Sequence, residues 1–377
     1  MEYITEKKNQ HYLPKFYLKY FSIEKNEKEI GVYNINNKKT IRHAPLKNQA
    51  SKKFYYGKDG KIEDYFSKIE GDFAKVLKNI QQTHTLPKRY SDDRSKYADD
   101  YSTLLLFVSC TFSRNPTVIE GITKMINKSF ELLFSPDEHE KYEIPEMEKE
   151  ESLHLNLKNL FDLCRLMLDL EVKLILNNTQ MPFIASDFPI ALYNSYLERM
   201  KWPFGKTGFG AKGLQIFIPI SPTLLICIFD PQIYKVGTRK ANKITLNNEK
   251  DVIQFNALQY LNCIQNLYFD ENLNDHMLSK IINYSSKFKR ANEINNEKCR
   301  IIDSKNDDER LVRLGTTDLC IKLEIDGIKY LSGVLSLKLD LTKIICMREI
   351  QEYQYFEKLR DKKLARHVIQ LRNPKIV

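Results

Sequence analysis

The stretch MPFIASDFPIALY, residues 181–193, marks the point where the pattern of the chain changes. Before it, apolar residues recur every three or four positions. From here on they come in short runs broken by turn residues. KGLQIFIPIS (212–221) and TLLICIFD (223–230) have the same character. Such runs, bounded by Gly, Pro, Asn and Asp, read as strands of one sheet. Asp187 falls where the first of these strands would end, directly before Phe188-Pro189.

Upstream the reading is helical. In GKIEDYFSKIEGDFAKVLKNI (60–80), Ile62, Phe66, Ile69, Phe73, Val76 and Ile80 fall at helical spacing, the mark of an amphipathic helix. The segment 95–117 is apolar on all sides between Leu104 and Phe112, as a helix through the middle of a bundle would be. It should stop near Asn115, because Pro116 opposes continuation. Another helix is expected to about Phe134, and a long one from about Leu155 to Leu176. Near the start, within NQHYLPKFYLKYFS (9–22), residues 10–22 carry Phe16, Tyr17, Tyr20 and Phe21 at helical spacing, with Pro14 suited to a first helical turn and His11 at the entry. KEIGVYNI (28–35) and KTIRHAPL (39–46) read as a hairpin around Asn36–Asn37.

Downstream, EKDVIQFNALQYLNCIQN (249–266) returns to helical spacing, as do residues 272–293. The remainder mixes strand-like runs (LVRLGT, LCIKLEIDGIKYL, LTKIICM) with a basic tail. The expected class is α+β, a helical N-terminal half packed against a mainly antiparallel sheet from the second half. Residues 1–270 would form this core. Residues 271–377 would be a C-terminal α/β extension.

The formal net charge of +10 favours nucleic acid, phosphate ligands or another anionic partner. It is concentrated in the tail 357–377, whereas 136–152 is acidic and reads as an exposed loop. The seven cysteines form no CxxC pair, and most lie in apolar surroundings. They read as reduced thiols of a cytoplasmic protein. The N-terminus has no apolar signal core, and no run approaches membrane-spanning length.

Several motifs mislead. Gly208, Gly210 and Gly213 spell G-x-G-x-x-G, but a strand-like run follows where a dinucleotide site needs a helix. A loop over a site, with Lys206 and Lys212 meeting an anion, fits better. There is no nucleophile elbow and no zinc helix. His43 and His84 have no paired ligands nearby.

Four polar residues stand out against apolar surroundings: His11, Glu70 beside Ile69 and Phe73, Arg114 at the end of the most apolar helix, and Asp187. A charge at the edge of a core requires a partner. Glu70 or Asp187 would serve Arg114. The same positions carry a resemblance. NQHYLPKFYLKYFS, the helix with Ile69-Glu70, the Ser-Arg-Asn-Pro step, FIASDFP, the IPISP turn and QFNALQYL follow the order seen in an uncharacterised bacterial group. Over roughly residues 9–270 the chain resembles domain-of-unknown-function family 4238. The matching positions of the opening motif are His11, Tyr12, Pro14, Tyr17, Leu18 and Phe21. Asn115 stands where the family has Thr, and Ala185 where it has the first Thr of Thr-Ser-Asp. The resemblance implies no established activity.

Taken together, His11 would act as acid or base, and Glu70 and Asp187 would orient it or hold a divalent cation such as Mg²⁺. Arg114 would stabilise an anion. Tyr17, Lys206, Lys212 and Asn256 would contribute to binding. The expectation is a hydrolase or transferase acting on nucleic acid or a phosphorylated nucleotide, of the kind a nuclease toxin or phage-defence effector would be. The alternative is a non-catalytic sensor or binding protein for nucleic acid or an anionic partner. On that reading His11 fixes the start of the first helix, Arg114 caps its own helix with Glu70 as partner, and Asp187 initiates a turn.

Overall fold

The computed structural model describes residues 5–88, 97–133, 146–203, 205–289, 296–300, 310–314, 321–339 and 346–348. Strand β1 (Asn9–His11) leads into a helical turn, α1 (Lys15–Leu18). The hairpin of β2 (Glu29–Asn34) and β3 (Lys39–Pro45) follows, then β4 (Ser51–Lys53). Next come the helices α2 (Lys61–Thr83), α3 (Tyr97–Ser113), α4 (Pro116–Leu133), α5 (Lys149–Lys158) and α6 (Leu160–Arg165). The second half holds β5 (Glu171–Asn177), β6 (Ala185–Ser186), β7 (Ala191–Tyr193), α7 (Ser195–Arg199), β8 (Gln215–Ser221), β9 (Leu224–Phe229), β10 (Tyr234–Val236) and β11 (Lys243–Leu246). It continues with α8 (Glu249–Asn262), β12 (Asn266–Phe269), α9 (Asp275–Ser285), the antiparallel pair β13 (Asn296–Arg300) and β14 (Arg310–Leu314), and β15 (Ile328–Tyr330), which pairs with β10.

The class is α+β with antiparallel sheets. The larger sheet runs β11-β5-β9-β8-β7, and only its β11–β5 pair is parallel. The second runs β3-β2-β12-β6 and is antiparallel throughout. β8 and β9 are buried along their whole length, which is why they read as unbroken apolar runs. Side chains alternate between faces. Ile216, Ile218, Ile226 and Ile228 share a core with Phe66 and Phe73 of α2 and Leu104–Val108 of α3. Phe217, Leu225, Cys227 and Phe229 share another with Phe255 and Leu258 of α8.

The structure departs from the sequence expectations at several places. The long helix expected over 155–176 ends at Arg165, and 171–177 is strand β5. There Leu174 joins one core and Ile175 the other, a period of two that helical counting obscured. The helix expected over 10–22 is broken. His11 pairs with Ser51 in a β-ladder, and only one turn of α-helix follows Pro14 before a 3-10 turn at Lys19–Phe21. Within 319–331, only Ile328–Tyr330 is a strand among the described residues. The tail 357–377, most of LTKIICM and the first part of the acidic loop lie outside the described residues.

Described segments beyond residue 270 pack on the preceding body. Gln254 and the backbone of Glu324 exchange two hydrogen bonds, at 2.9 and 2.7 Å. The Arg348 guanidinium meets Asp169 through two nitrogens, at 2.7 and 3.1 Å, and donates to the carbonyls of Leu166, Phe209 and Ala211.

The stretch 182–190 is held by one face of α8. Asn256, Gln259 and Asn262 are three residues apart, so their amides point the same way. Asn256 accepts from Ile184 N–H at 3.0 Å and donates to Pro182 C=O at 2.8 Å. Gln259 accepts from the Ser186 hydroxyl and donates to Pro189 C=O. Asn262 donates to the carbonyls of Phe188 and Ile190. Asn256→Ala would leave a buried N–H and a buried C=O unpaired. A loss of about 1–3 kcal/mol is expected, by the usual cost of an orphaned buried polar group, and urea denaturation measures it.

Candidate functional site

β1 is fixed by its neighbours. The Gln10 side chain accepts from Tyr56 N–H and donates to Gly57 C=O. The Tyr56 hydroxyl donates to the His11 carbonyl at 3.0 Å. The next ring along, Tyr55, donates its hydroxyl to the Arg114 carbonyl at 2.8 Å. Adjacent tyrosines therefore hold the backbones of two residues that the sequence singled out.

His11 is 7% exposed. Its Nε2 lies 3.0 Å from the Lys47 carbonyl. A carbonyl can only accept, so Nε2 carries the proton and Nδ1 holds the lone pair in the neutral ring. Burial, with help from the charges of Lys15 and Arg114, pushes the His11 pKa down to about 4. Near pH 7 the imidazole is a neutral base.

Glu70 comes from α2. Its Oε1 accepts from Arg114 Nη1 at 2.7 Å. Arg114 is fully buried, while Glu70 keeps a quarter of its side-chain surface. The guanidinium carbon lies 4.7 Å from the centroid of the Phe66 ring, a cation–π contact that offsets some of the lost hydration. Among the described residues, Nε and Nη2 have no hydrogen-bond partner. Arg114 thus reaches the site only through Glu70, and its charge is felt at His11.

His11 and Glu70 line one cleft of about 510 Å³ with Glu63, Ser67, Lys8 and Lys15. Glu63, Ser67 and Glu70 fall at i, i+4 and i+7, on one helix face. That spacing was the available signal for Glu63 and Ser67, and the apolar stripe beside it drew the reading away. Burial, then the nearby Glu70, raises the Glu63 pKa. Lys7, also at the cleft, pairs with the exposed Asp64 at 2.7 Å.

The other expected site residues lie elsewhere. Asp187 is fully buried, and its carboxylate accepts from the N–H groups of Ile264, Gln265 and Asn266, at 2.7, 3.0 and 3.0 Å. Burial raises its pKa to about 6, against the lowering effect of those bonds. It does not line the His11 cleft. Tyr17 is buried, and its hydroxyl donates to Pro219 C=O. Asn256 spends its amide on residues 182–184.

Lys206 and Lys212 lie in a pinned loop. Both their carbonyls accept from Asn194 Nδ2, and Gly213 N–H donates to Asp230. Two of the loop's glycines have packing reasons, whereas a Cβ on Gly208 would meet nothing within 4 Å. A Cβ on Gly210 would come within 2.4 Å of Met347 Cε, and one on Gly213 within 2.8 Å of Tyr196 Cβ. Gly213 also has φ +77°. Strand β8 follows, so the motif lacks the helix a phosphate site would use. Among the described residues, no group of three or more His, Cys, Asp or Glu side chains is placed to hold a metal ion. No described helix is long and apolar enough to cross a membrane.

Fold and site together define an α+β protein with a cleft lined by a histidine, carboxylates and lysines between an N-terminal strand and its first long helix. The chain belongs to the family described as "Protein of unknown function (DUF4238)", whose model matches residues 9–272. That span holds the whole cleft except Glu6, Lys7 and Lys8, along with the α8 clamp. No curated protein and no solved structure matches the chain.

Two predictions follow from the electrostatics. The folded His11 pKa of about 4 lies below its ordinary 6.5, so the unfolded chain binds more protons between these values. His11 therefore supports stability above pH 6.5, and this is lost as pH falls towards 4. Asp187, raised from 3.8 to about 6, acts in the opposite sense. Urea midpoints from pH 7 to 4 should fall less steeply in His11→Gln than in the parent, and equal slopes would contradict the assignment. Replacing Arg114 by Leu should cost about 2–3 kcal/mol. This is below the ~3–5 kcal/mol for breaking a fully buried pair, because Glu70 retains contact with water; thermal denaturation would register it.

Proposed function

We propose that the His11 cleft is an acid–base site of a hydrolase or transferase acting on a phosphorylated substrate, either nucleic acid or a nucleotide. One observation carries this: a histidine kept neutral near pH 7, its Nδ1 lone pair available, shares a cleft with three carboxylates (Glu6, Glu63 and Glu70) and three lysines. His11 would take a proton from the attacking hydroxyl or water. Glu63, which holds its proton more tightly than an ordinary carboxyl, would return one to the leaving group. Lys7, Lys8 and Lys15 would meet phosphate oxygens. Arg114 is a positioning residue that fixes Glu70. A divalent cation such as Mg²⁺ would need only one or two of these carboxylates, with substrate phosphate completing its shell. The net charge of +10 suits such substrates.

Binding without turnover is the second reading. The complete burial of Arg114 and Asp187 favours it, because it removes two of the four singled-out charges from contact with a substrate.

The test incubates the purified chain with DNA, RNA and nucleoside triphosphates, with Mg²⁺ or with chelator. Turnover by the parent is expected, falling about 10²- to 10⁴-fold in His11→Ala, the usual contribution of a general base. Glu70→Gln should also reduce it. Saturable binding without turnover would support the second reading. Turnover that His11→Ala leaves intact would reject the assignment of the cleft.

A further inference from the structure

A second cavity, of about 760 Å³, lies between β7, α7, β8 and β10 on one side and residues 322–330 on the other. Its size is that of a small-molecule site. The His11 cleft shares none of its lining.

One wall is built for a flat ring. The Tyr234 and Tyr330 rings lie 5.5 Å apart, and the Arg199 guanidinium sits 5.7 Å from the Tyr330 centroid. Phe217 also lines the cavity. Aromatic faces and guanidinium planes are the surfaces on which nucleobases stack.

Gln215 supplies a polar edge. It lines the cavity yet is only 2% exposed. The Tyr234 hydroxyl donates to Gly213 C=O and accepts from Tyr196 N–H, both at 2.9 Å. Ser195 Oγ lies 3.1 Å from Gln215 Oε1 and 3.1 Å from the Tyr234 oxygen. Serine has one proton for these two contacts. If the proton goes to Gln215 Oε1, the amide NH₂ has no partner among the described residues. If it goes to Tyr234, the amide turns over, donates to Ser195 and leaves its carbonyl free. In both cases the Gln215 amide presents to the cavity a hydrogen-bonding group that no described residue meets, where a ligand can meet it.

The charged lining is balanced. Arg199, Lys322 and Lys329 face Glu198, Glu324 and Asp326, and Lys322 pairs with Glu324 at 2.8 Å. The cavity therefore sets no demand for a charged ligand.

We propose that this cavity binds a nucleobase, a neutral planar heterocycle stacked on the Arg199–Tyr330–Tyr234 wall and read at its edge by the Gln215 amide. The base could arrive as a free nucleoside or unstacked from a single strand. The site stands independently of the His11 reading.

Isothermal titration of the full chain with adenosine, guanosine, cytidine, uridine and a mixed-sequence single-stranded oligonucleotide tests it. At least one probe should bind saturably. Affinity should fall tenfold or more in Gln215→Leu or, should that variant not fold, in the more exposed Tyr330→Ala. It should be unchanged in His11→Ala. A nucleoside response identifies a free ligand, and a response to the oligonucleotide alone identifies a base within a strand. Absence of saturable binding by all five probes overturns the proposal. So does binding that the folded variants retain in full or that His11→Ala abolishes.

Discussion

The carboxylate of Asp187, fully out of water, accepts three consecutive backbone N–H groups from residues 264–266, and the smaller sheet depends on that arrangement. A lone buried carboxylate is costly, and backbone donors are the means by which a fold tolerates one. Here they also do topological work. The residues that donate lead into β12, which pairs with β6 on one edge and β2 on the other. The N-terminal hairpin is thereby stitched to residues from the second half of the chain. The amides of α8 hold the same stretch from the opposite side, so 182–190 keeps its irregular course without leaving its polar groups unpaired.

The His11 cleft rests on this frame and on a second buried charge. α2 and α3 contribute to one apolar core, and Arg114–Glu70 is an ionic tie between them. The tie is not fully compensated, since among the described residues two guanidinium nitrogens have no hydrogen-bond partner, and the Phe66 face and the Tyr56 side chain stand near the cation. Apolar residues would pack there at less cost in desolvation. What the pair gives is a fixed carboxylate: Glu70 can neither rotate away nor lose its charge without exposing the guanidinium to an unpaired state. Tyr55 and Tyr56 do the same for the backbones of Arg114 and His11. Cleft geometry is thus set by groups that no ligand would touch.

Much of this was legible in sequence, and the failures have physical causes. α2, α3, α8 and the pair β8–β9 were visible because each buries a periodic face or a continuous apolar run. β5 was missed because it follows a helix with little polar punctuation and carries leucines that satisfy either period. β10 and β11 are three and four residues long, too short for a period to emerge. His11 was singled out from its apolar surroundings, but its strand pairing with Ser51 is non-local and leaves no mark in a linear reading. Asp187 illustrates the limit of reading charge alone. A buried carboxylate satisfied by backbone donors and one poised for chemistry look the same until the N–H groups are located.

The two cavities differ in how the sheet serves them. Ile216 and Ile218 of β8 face the core that contains Tyr17, Phe66 and Phe107, whereas Gln215 and Phe217 line the second cavity. Successive residues of one strand therefore serve opposite faces. Yet β8 is paired on both edges and buried on both faces, so close packing leaves it little room for a second arrangement. Coupling between sites requires an element with two states that both sites bias, and this strand offers none. Substitutions at His11 and at Gln215 should accordingly act independently, as is usual for separated sites without shared partners.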